Sequence, residues 1–344
     1  MRRFLYALLL FLAIAFAVSQ LAEFEQIAAT LRRGAWYWLA LAIAVQAVYL
    51  VNLAAGYRAA FRTVGVEESL AAVLPLVVAA NFVNVVTVSG GIAGMAIIAD
   101  DARRRGRSPA RVTIGGVLYV LFDYAAFLCV LTVGFLILLR RHDPTAADAI
   151  AASILVAIAA GLGLLLALGL RSASALEWVL ARAARLVNWS LRPILHRETL
   201  SEATAHEFAA DAAEAFGIMG RQPRRNWLLP LALTLSAKAL LISILFLVFL
   251  AFRQPFSAGT LIAAFSLAYL FFIVSPTPSG IGIVEGAMPL ALRSLRVPLG
   301  SAVVITLAYR GLTFWLPFLY GFVALRWLGQ RRAAGPAAAE QPGD

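Results

Sequence analysis

Long apolar windows separated by short polar segments run along almost the whole chain. Six of them are long enough to cross a bilayer as helices: Phe4 to Ala22, Ala35 to Gly56, Ile114 to Leu139, Ala149 to Leu170, Trp227 to Ala251 and Leu299 to Leu328. At 1.5 Å of rise per residue, about 20 residues cover a hydrocarbon core of roughly 30 Å. Inside lipid, backbone polar groups have no water to pair with, so spans of this composition fold as helices. The pattern predicts an all-α polytopic membrane protein of about six spanning helices.

Two further apolar stretches are interrupted. Leu70 to Ser89 meets Gly90 and Gly91 and resumes as Ile92 to Asp100. Ser257 to Val274 meets the run Ser275 to Gly282, with Pro276, Pro278, Gly280 and Gly282, and resumes toward Leu295. Proline removes a backbone donor and glycine loosens the helix, so neither stretch is expected to continue unbroken. Each is read as a broken, re-entrant hairpin that enters and leaves by the same face.

Charge supports that reading. The formal net charge is +11, and Lys238 is the only lysine, so the excess is almost wholly arginine. Basic residues crowd Asp101 to Arg111 and Arg171 to Arg225, which the positive-inside rule assigns to the cytoplasm. If Leu70 to Ser89 crossed completely, the cluster at Arg103, Arg104, Arg105, Arg107 and Arg111 would lie outside. With both broken hairpins re-entrant, only Arg32, Arg33, Arg140, Arg141, Arg253, Arg293 and Arg296 fall outside, and both termini are cytoplasmic.

The two breaks also match each other. Ser89-Gly90-Gly91-Ile92 and Pro278-Ser279-Gly280-Ile281 are 189 residues apart, and the same offset relates Arg107-Ser108-Pro109 to Arg296-Val297-Pro298. Three spans lie between the breaks, so the halves, about 1–140 and 149–330, would be inverted relative to each other, as in many transporters.

At 62% apolar residues and a mean hydropathy of +0.86, the chain has too little polar surface for soluble domains, and residues 1–330 read as one transmembrane domain. The first window follows Arg2 and Arg3 but no small-residue cleavage site follows it, so it is expected to be retained. Segment 172–226 is read as cytoplasmic, with Ser174 to Leu195 an amphipathic surface helix and Thr199 to Phe216 a more acidic one. Residues 331–344 are read as a disordered tail. Cys129 lies inside a span, and His142, His196 and His206 are scattered over polar segments, so neither a disulfide framework nor a metal site is expected.

Four ionisable residues fall inside apolar segments: Asp123, Lys238, Glu285 and Arg310. An unpaired charge at a helix centre costs roughly 2.5–3.5 kcal/mol for Asp, Lys or Arg. Two acids and two bases allow complete pairing. The forked guanidinium of Arg310 suits the carboxylate of Glu285, and the 189-residue offset places Asp123 at the position of Leu312, beside Arg310. Such charges either lock helices together or line a substrate path. Asn81 and Asn84, one turn apart before the first break, are candidate lining residues of the same cavity, or alternatively interhelical hydrogen bonders. Gly280-Ile281-Gly282 has no βαβ context for a nucleotide-binding turn, and no Walker motif or Ser/His/Asp set occurs, so enzymatic activity and cofactors are not expected.

The run Ser275 to Ala287 containing Glu285, then Pro298 and Ala308-Tyr309-Arg310, resembles the lysylphosphatidylglycerol synthase transmembrane-region family, whose members are also described as flippase-like. Asn81, the Gly90-Gly91 break and the basic loop fit the family's first half, although Val88-Ser89 stands where proline often precedes the glycines and no acid directly follows Gly91. The resemblance implies a bacterial-type plasma-membrane protein that moves lipids between leaflets, with Tyr309 among the cavity candidates. Full-length lipid-modifying members carry a following aminoacyl-transferase domain, and this chain stops at Asp344, so lipid aminoacylation is not expected of it. The implied partners are membrane lipids, anionic phospholipid first, and a lipid-synthesis enzyme second; no nucleic-acid partner is expected. The rival readings are a non-transporting organiser of a lipid- or glycan-synthesis enzyme and an ion-coupled small-solute transporter.

Overall fold

The computed structural model describes residues 29–86, 92–139, 218, 221, 223, 225–275 and 277–334. Their regular structure is helical throughout. The first half supplies α1 (Trp36–Thr63), α2 (Leu70–Val86), α3 (Ile92–Arg104) and α4 (Pro109–Leu139). The second supplies α5 (Arg225–Ala251), α6 (Ala258–Val274), α7 (Ile283–Ser294), α8 (Leu299–Arg310) and α9 (Leu316–Ala334). The windows Phe4 to Ala22 and Ala149 to Leu170, the segment 172–226 apart from its described residues, residues 335–344 of the tail, Gly90, Gly91 and Pro276 lie outside the described residues. Residues 331–334, read from the sequence as the start of a disordered tail, instead continue α9, whose backbone hydrogen bonds carry on past the apolar window.

Among the described residues, four helical stretches are long and apolar enough to cross a membrane: Trp36–Thr63, Pro109–Ile137, Asn226–Ala251 and Leu299–Gln330. The surface agrees with that reading, since Trp36, Val48, Val51, Leu136, Leu228, Leu290 and Val323 are exposed and would be poorly hydrated in water. Both α2 and α6 have 17 residues, about 25 Å of helix, less than the hydrocarbon core.

Contacts group the chain into two compact units, one of Met1–Val48 with Leu240–Tyr320 and one of Tyr49–Ala239 with Gly321–Asp344. In the second unit α3 packs on both α2 and α4, around Phe61, Val73, Val77, Ile98 and Leu118. Gly115 lets α4 approach α1, because a Cβ there would lie 2.6 Å from the Phe61 ring and 3.2 Å from its Cα. In the first unit α7 packs on both α6 and α8, around Phe265, Met288, Leu292 and Ile305.

With Leu299–Gln330 taken as one stretch, the order long, short, short, long occurs twice. Shifted by 189 residues, α1 to α4 would begin at 225, 259, 281 and 298; α5 to α8 begin at Arg225, Ala258, Ile283 and Leu299. The short helices even start on the same device. Ser69 Oγ accepts from the Ala72 amide at 3.3 Å, and Ser257 Oγ accepts from the Thr260 amide at 3.1 Å. The polar turn before α2 is tied down by arginine: Arg58 Nε donates to the Glu68 carbonyl at 2.8 Å, and Arg107 bridges to the Glu68 carboxylate at 2.8 Å and to the Glu67 carbonyl.

The last predicted window, Leu299 to Leu328, is a single spanning stretch, Leu299–Gln330, but it is not α-helical throughout. Between α8 and α9 the chain makes a π turn, Gly311–Trp315, closed by the Leu316 amide donating to the Gly311 carbonyl. Hydropathy does not register it, because a π turn keeps the same apolar residues in the same order. Turns of this kind occur preferentially at functional sites, and this one directly follows Arg310.

Candidate functional site

The interruption between α6 and α7 is a wired loop. Thr277 anchors it, its amide and hydroxyl meeting Ser275 Oγ at 3.1 and 2.7 Å and its hydroxyl donating to the Ile281 carbonyl at 2.8 Å. Pro278–Gly280 forms a short 3-10 turn in which Ser279 takes a positive φ of 51°, followed by Gly280 at 72° and Gly282 at 79°. At Gly280 a Cβ would also strike Val284 Cγ2 at 2.6 Å, so glycine is required twice over.

Glu285 sits in the first turn of α7, and its Oε2 accepts from the Gly282 amide at 2.7 Å, closing the helix start. Its Oε1 accepts from Arg310 Nε. The positive end of the α7 dipole favours a carboxylate at this position. Arg310 is buried and held on two further sides: a terminal nitrogen donates to the Ser279 carbonyl at 3.3 Å, and Cζ lies 4.3 Å from the centre of the Phe314 ring. The π turn carries Phe314, so the cation–π contact and the backbone irregularity belong to one device. The pair Glu285–Arg310 thus joins the loop, α7 and α8 within the first unit.

The other two intramembrane charges meet in the second unit. Lys238 Nζ on α5 lies 2.7 Å from each carboxylate oxygen of Asp123 on α4. The lysine side chain is 2% exposed and the aspartate 18%, so the acid is the less covered member of the pair. One turn before Lys238, Thr234 Oγ1 lies 2.9 Å from the Leu231 carbonyl of its own helix and 3.2 Å from the Phe122 carbonyl of α4, so its hydroxyl sits at the same α4–α5 seam.

Asn84 is a hydrogen bonder, accepting from the Gly94 amide at 2.7 Å and joining α2 to α3 across the first interruption. Asn81 is exposed. Both border a cavity of about 80 Å³ in the second unit, which Tyr57, Gly94, Met95 and Val120 also line. Tyr309 is buried beside Arg310, and its carbonyl accepts from Thr313 Oγ1 at 2.8 Å.

Sequence reasoning missed several polar contacts at membrane depth. Asn52 Nδ2 donates to Ser236 Oγ at 2.5 Å, and Gln46 Nε2 donates to the Tyr320 hydroxyl at 3.2 Å. Asn52 Oδ1 and Gln46 Oε1 are buried without a hydrogen-bond partner among the described residues. An amide inside an apolar window is itself a signal, and Gln46 and Asn52 carry it. Nothing in the sequence marks the Ser279 carbonyl, since it becomes a ligand of Arg310 only through its positive φ.

Apolar helices of spanning length and two ion pairs set among them, one at an interrupted helix, define an all-α multi-pass membrane protein. The chain belongs to the Lysylphosphatidylglycerol synthase TM region family, which matches residues 4–321. It is also similar to a UPF0104 membrane protein of Methanocaldococcus jannaschii, with 29% identity over 104 residues, 30% of this chain and 31% of that protein. That match therefore spans about a third of the length of the relative.

Proposed function

We propose that this protein moves a phospholipid or lipid-linked headgroup between the leaflets of a plasma membrane, and that it is not an enzyme. The observation that carries the reading is the Glu285–Arg310 pair, a buried guanidinium held at a broken helix. A pair needed only to hold helices would not require unwound backbone. Broken helices at membrane depth persist where they line a cavity or are shielded by protein, and transporters place their sites there. Arginine recognises phosphate through the same forked geometry that holds a carboxylate.

In this reading α2 with α3 and α6 with α7 are re-entrant hairpins, which the 17-residue lengths of α2 and α6 support. The repeated helix order at an offset of 189 residues supports two inverted halves around one pathway. In the same reading both termini face the cytoplasm, which the arginine-rich loops favour under the positive-inside rule.

Reconstitution into liposomes tests the proposal. Purified protein should accelerate exchange of fluorescent phosphatidylglycerol between leaflets, and Arg310→Gln and Lys238→Gln should lose that acceleration. No acceleration for anionic or zwitterionic lipid, with folded protein confirmed, would sink it. A second reading follows from the family's description as the membrane region of a synthase: the chain organises a separate lipid-synthesis enzyme without transporting anything, and co-purification of such an enzyme with an inactive transporter would favour it.

A further inference from the structure

Four helices end on the same closure. After α1 the Val66 amide donates to the Phe61 carbonyl at 2.9 Å, behind Gly65 at a φ of 77°. After α3 the Arg107 amide donates to the Ala102 carbonyl at 2.9 Å, behind Gly106 at 68°. In the second half the Gln254 amide donates to the Phe249 carbonyl and the Val297 amide to the Leu292 carbonyl, both at 3.0 Å, which closes α5 and α7. Here the residue in the left-handed position is an arginine each time, Arg253 at 52° and Arg296 at 69°. Glycine takes that conformation without a steric penalty and arginine does not. Two arginines are thus kept against the preference of the backbone, so the charge, rather than the turn, accounts for them.

Three more arginines share this end of the first unit. The Ala35 amide donates to the Ala251 carbonyl at 2.9 Å, and a Cβ on Gly34 would lie 3.1 Å from Phe252 Cζ, so the turn carrying Arg32 and Arg33 rests on the end of α5. α6 starts just beyond, and α7 packs back on it, which returns Arg293 and Arg296 to the same end. All five are exposed, and none makes a side-chain hydrogen bond or ion pair among the described residues. Within the described residues of this unit the one acid is Glu285, which Arg310 already holds. In the other unit Arg104, Arg105 and Arg107 are instead paired, with Asp100, Asp101 and Glu68. Exposed aromatic rings border the free charge. Trp36, 77% exposed, and Tyr37 open α1 just after Arg33, and Phe256, whose ring leans on Phe246 and Phe249, is exposed beside Arg253. Tryptophan and tyrosine concentrate at the level of lipid headgroups, and a guanidinium there meets phosphate with two parallel donors.

We infer that this end of the first unit is a docking surface for the phosphates of anionic phospholipid in the leaflet beside it, held by Arg32, Arg33, Arg253, Arg293 and Arg296. The topology proposed above makes that the outer leaflet, where the positive-inside rule disfavours arginine. Free charge kept there against that rule, and at strained backbone positions, calls for an anion. The inference goes beyond leaflet exchange, since it concerns lipid held at headgroup level rather than lipid that crosses.

Association of spin-labelled phosphatidylglycerol with full-length protein, in mixed micelles of dodecyl maltoside and phosphatidylcholine, tests this. Arg253→Gly and Arg296→Gly are the decisive variants, because glycine suits both turns. Each should leave the protein at least as stable in SDS unfolding while weakening association with phosphatidylglycerol about fivefold, which corresponds to roughly 1 kcal/mol for one arginine near an anionic surface. Arg104→Gln and Arg105→Gln, at paired positions, should change it less than about twofold. Salt at about 1 M, where the Debye length falls to roughly 3 Å, should abolish the preference over phosphatidylcholine. Equal association of the wild type with both lipids, or glycine variants that bind as the wild type does, overturns the inference. Tighter association with soluble polyphosphate than with the lipid, per phosphate, assigns the face to a soluble polyanion and also overturns it. Arginine-dependent association in a protein that fails to exchange lipid between leaflets would refute the transport reading and leave the docking surface standing.

Discussion

Glu285→Gln removes one charge from the Glu285–Arg310 pair while keeping the shape of the side chain. The amide oxygen can still accept from the Gly282 amide, so the start of α7 survives. What is lost is the counter-charge of Arg310, which is 5% exposed and cannot neutralise itself. Breaking a buried pair by removing one partner costs about 3–5 kcal/mol. The Ser279 carbonyl and the Phe314 ring remain to Arg310, and a cation–π contact offsets roughly 0.5–2 kcal/mol, so the lower end, about 3 kcal/mol, is expected. Arg310→Gln should cost less, about 1–2 kcal/mol, because the carboxylate left behind keeps the Gly282 amide and can take up a proton. The double variant should cost less than the two singles together by at least about 1.5 kcal/mol. Reversible unfolding by SDS in mixed micelles, arranged as a double-mutant cycle, measures these differences. If the singles add within about 0.5 kcal/mol, the pair is not coupled and the account of the broken helix is wrong.

The loop glycines should rank by surroundings. Gly282→Ala pays only for a positive φ, about 1–2 kcal/mol, whereas Gly280→Ala adds a collision with Val284 and should cost more, with Val284→Ala relieving part of it; the same unfolding titration checks the order. Asn84→Ala strips the Gly94 amide of its acceptor and should cost about 1–3 kcal/mol, while Asn81→Ala, at an exposed position, should stay within about 0.5 kcal/mol, as thermal unfolding would report. A cysteine placed at Arg105 in a Cys129→Ser background should react with a membrane-impermeant maleimide from the cytoplasmic side only; labelling in intact cells would reverse the topology and with it the re-entrant reading of α2 and α3.

The long helices were legible because a bilayer imposes length and hydropathy together: α4 and α5 end at the predicted Leu139 and Ala251, and α1 begins one residue after Ala35, although it continues to Thr63, past the predicted Gly56, and α4 starts at Pro109, before Ile114. The interruption over Ser275 to Gly282 was legible because proline and glycine act locally on the backbone. Pairing was legible only for Glu285 with Arg310. The partner of Asp123 depends on which faces of α4 and α5 meet, and hydropathy carries no phase information when a helix is apolar all round. The Arg107 tether to Glu67 and Glu68 was hidden for a different cause: the arginine cluster reads as a topological signal, and one member's second role appears only when the turns are brought together.

The π turn after Arg310 has a consequence for how the last span presents its residues. A turn closed by a bond from residue i+5 to residue i holds one residue more than an α turn, and one residue is about 100° of rotation. A helical wheel drawn from Leu299 and continued past Trp315 therefore slips in phase by more than a quarter of a circle. α4, which the 189-residue offset would align with the start of this span, is a continuous α-helix from Pro109 to Leu139. Within the last span, residues beyond Trp315 therefore lie on a different face from the one that an unbroken α-helix would give them, while α4 keeps one phase throughout.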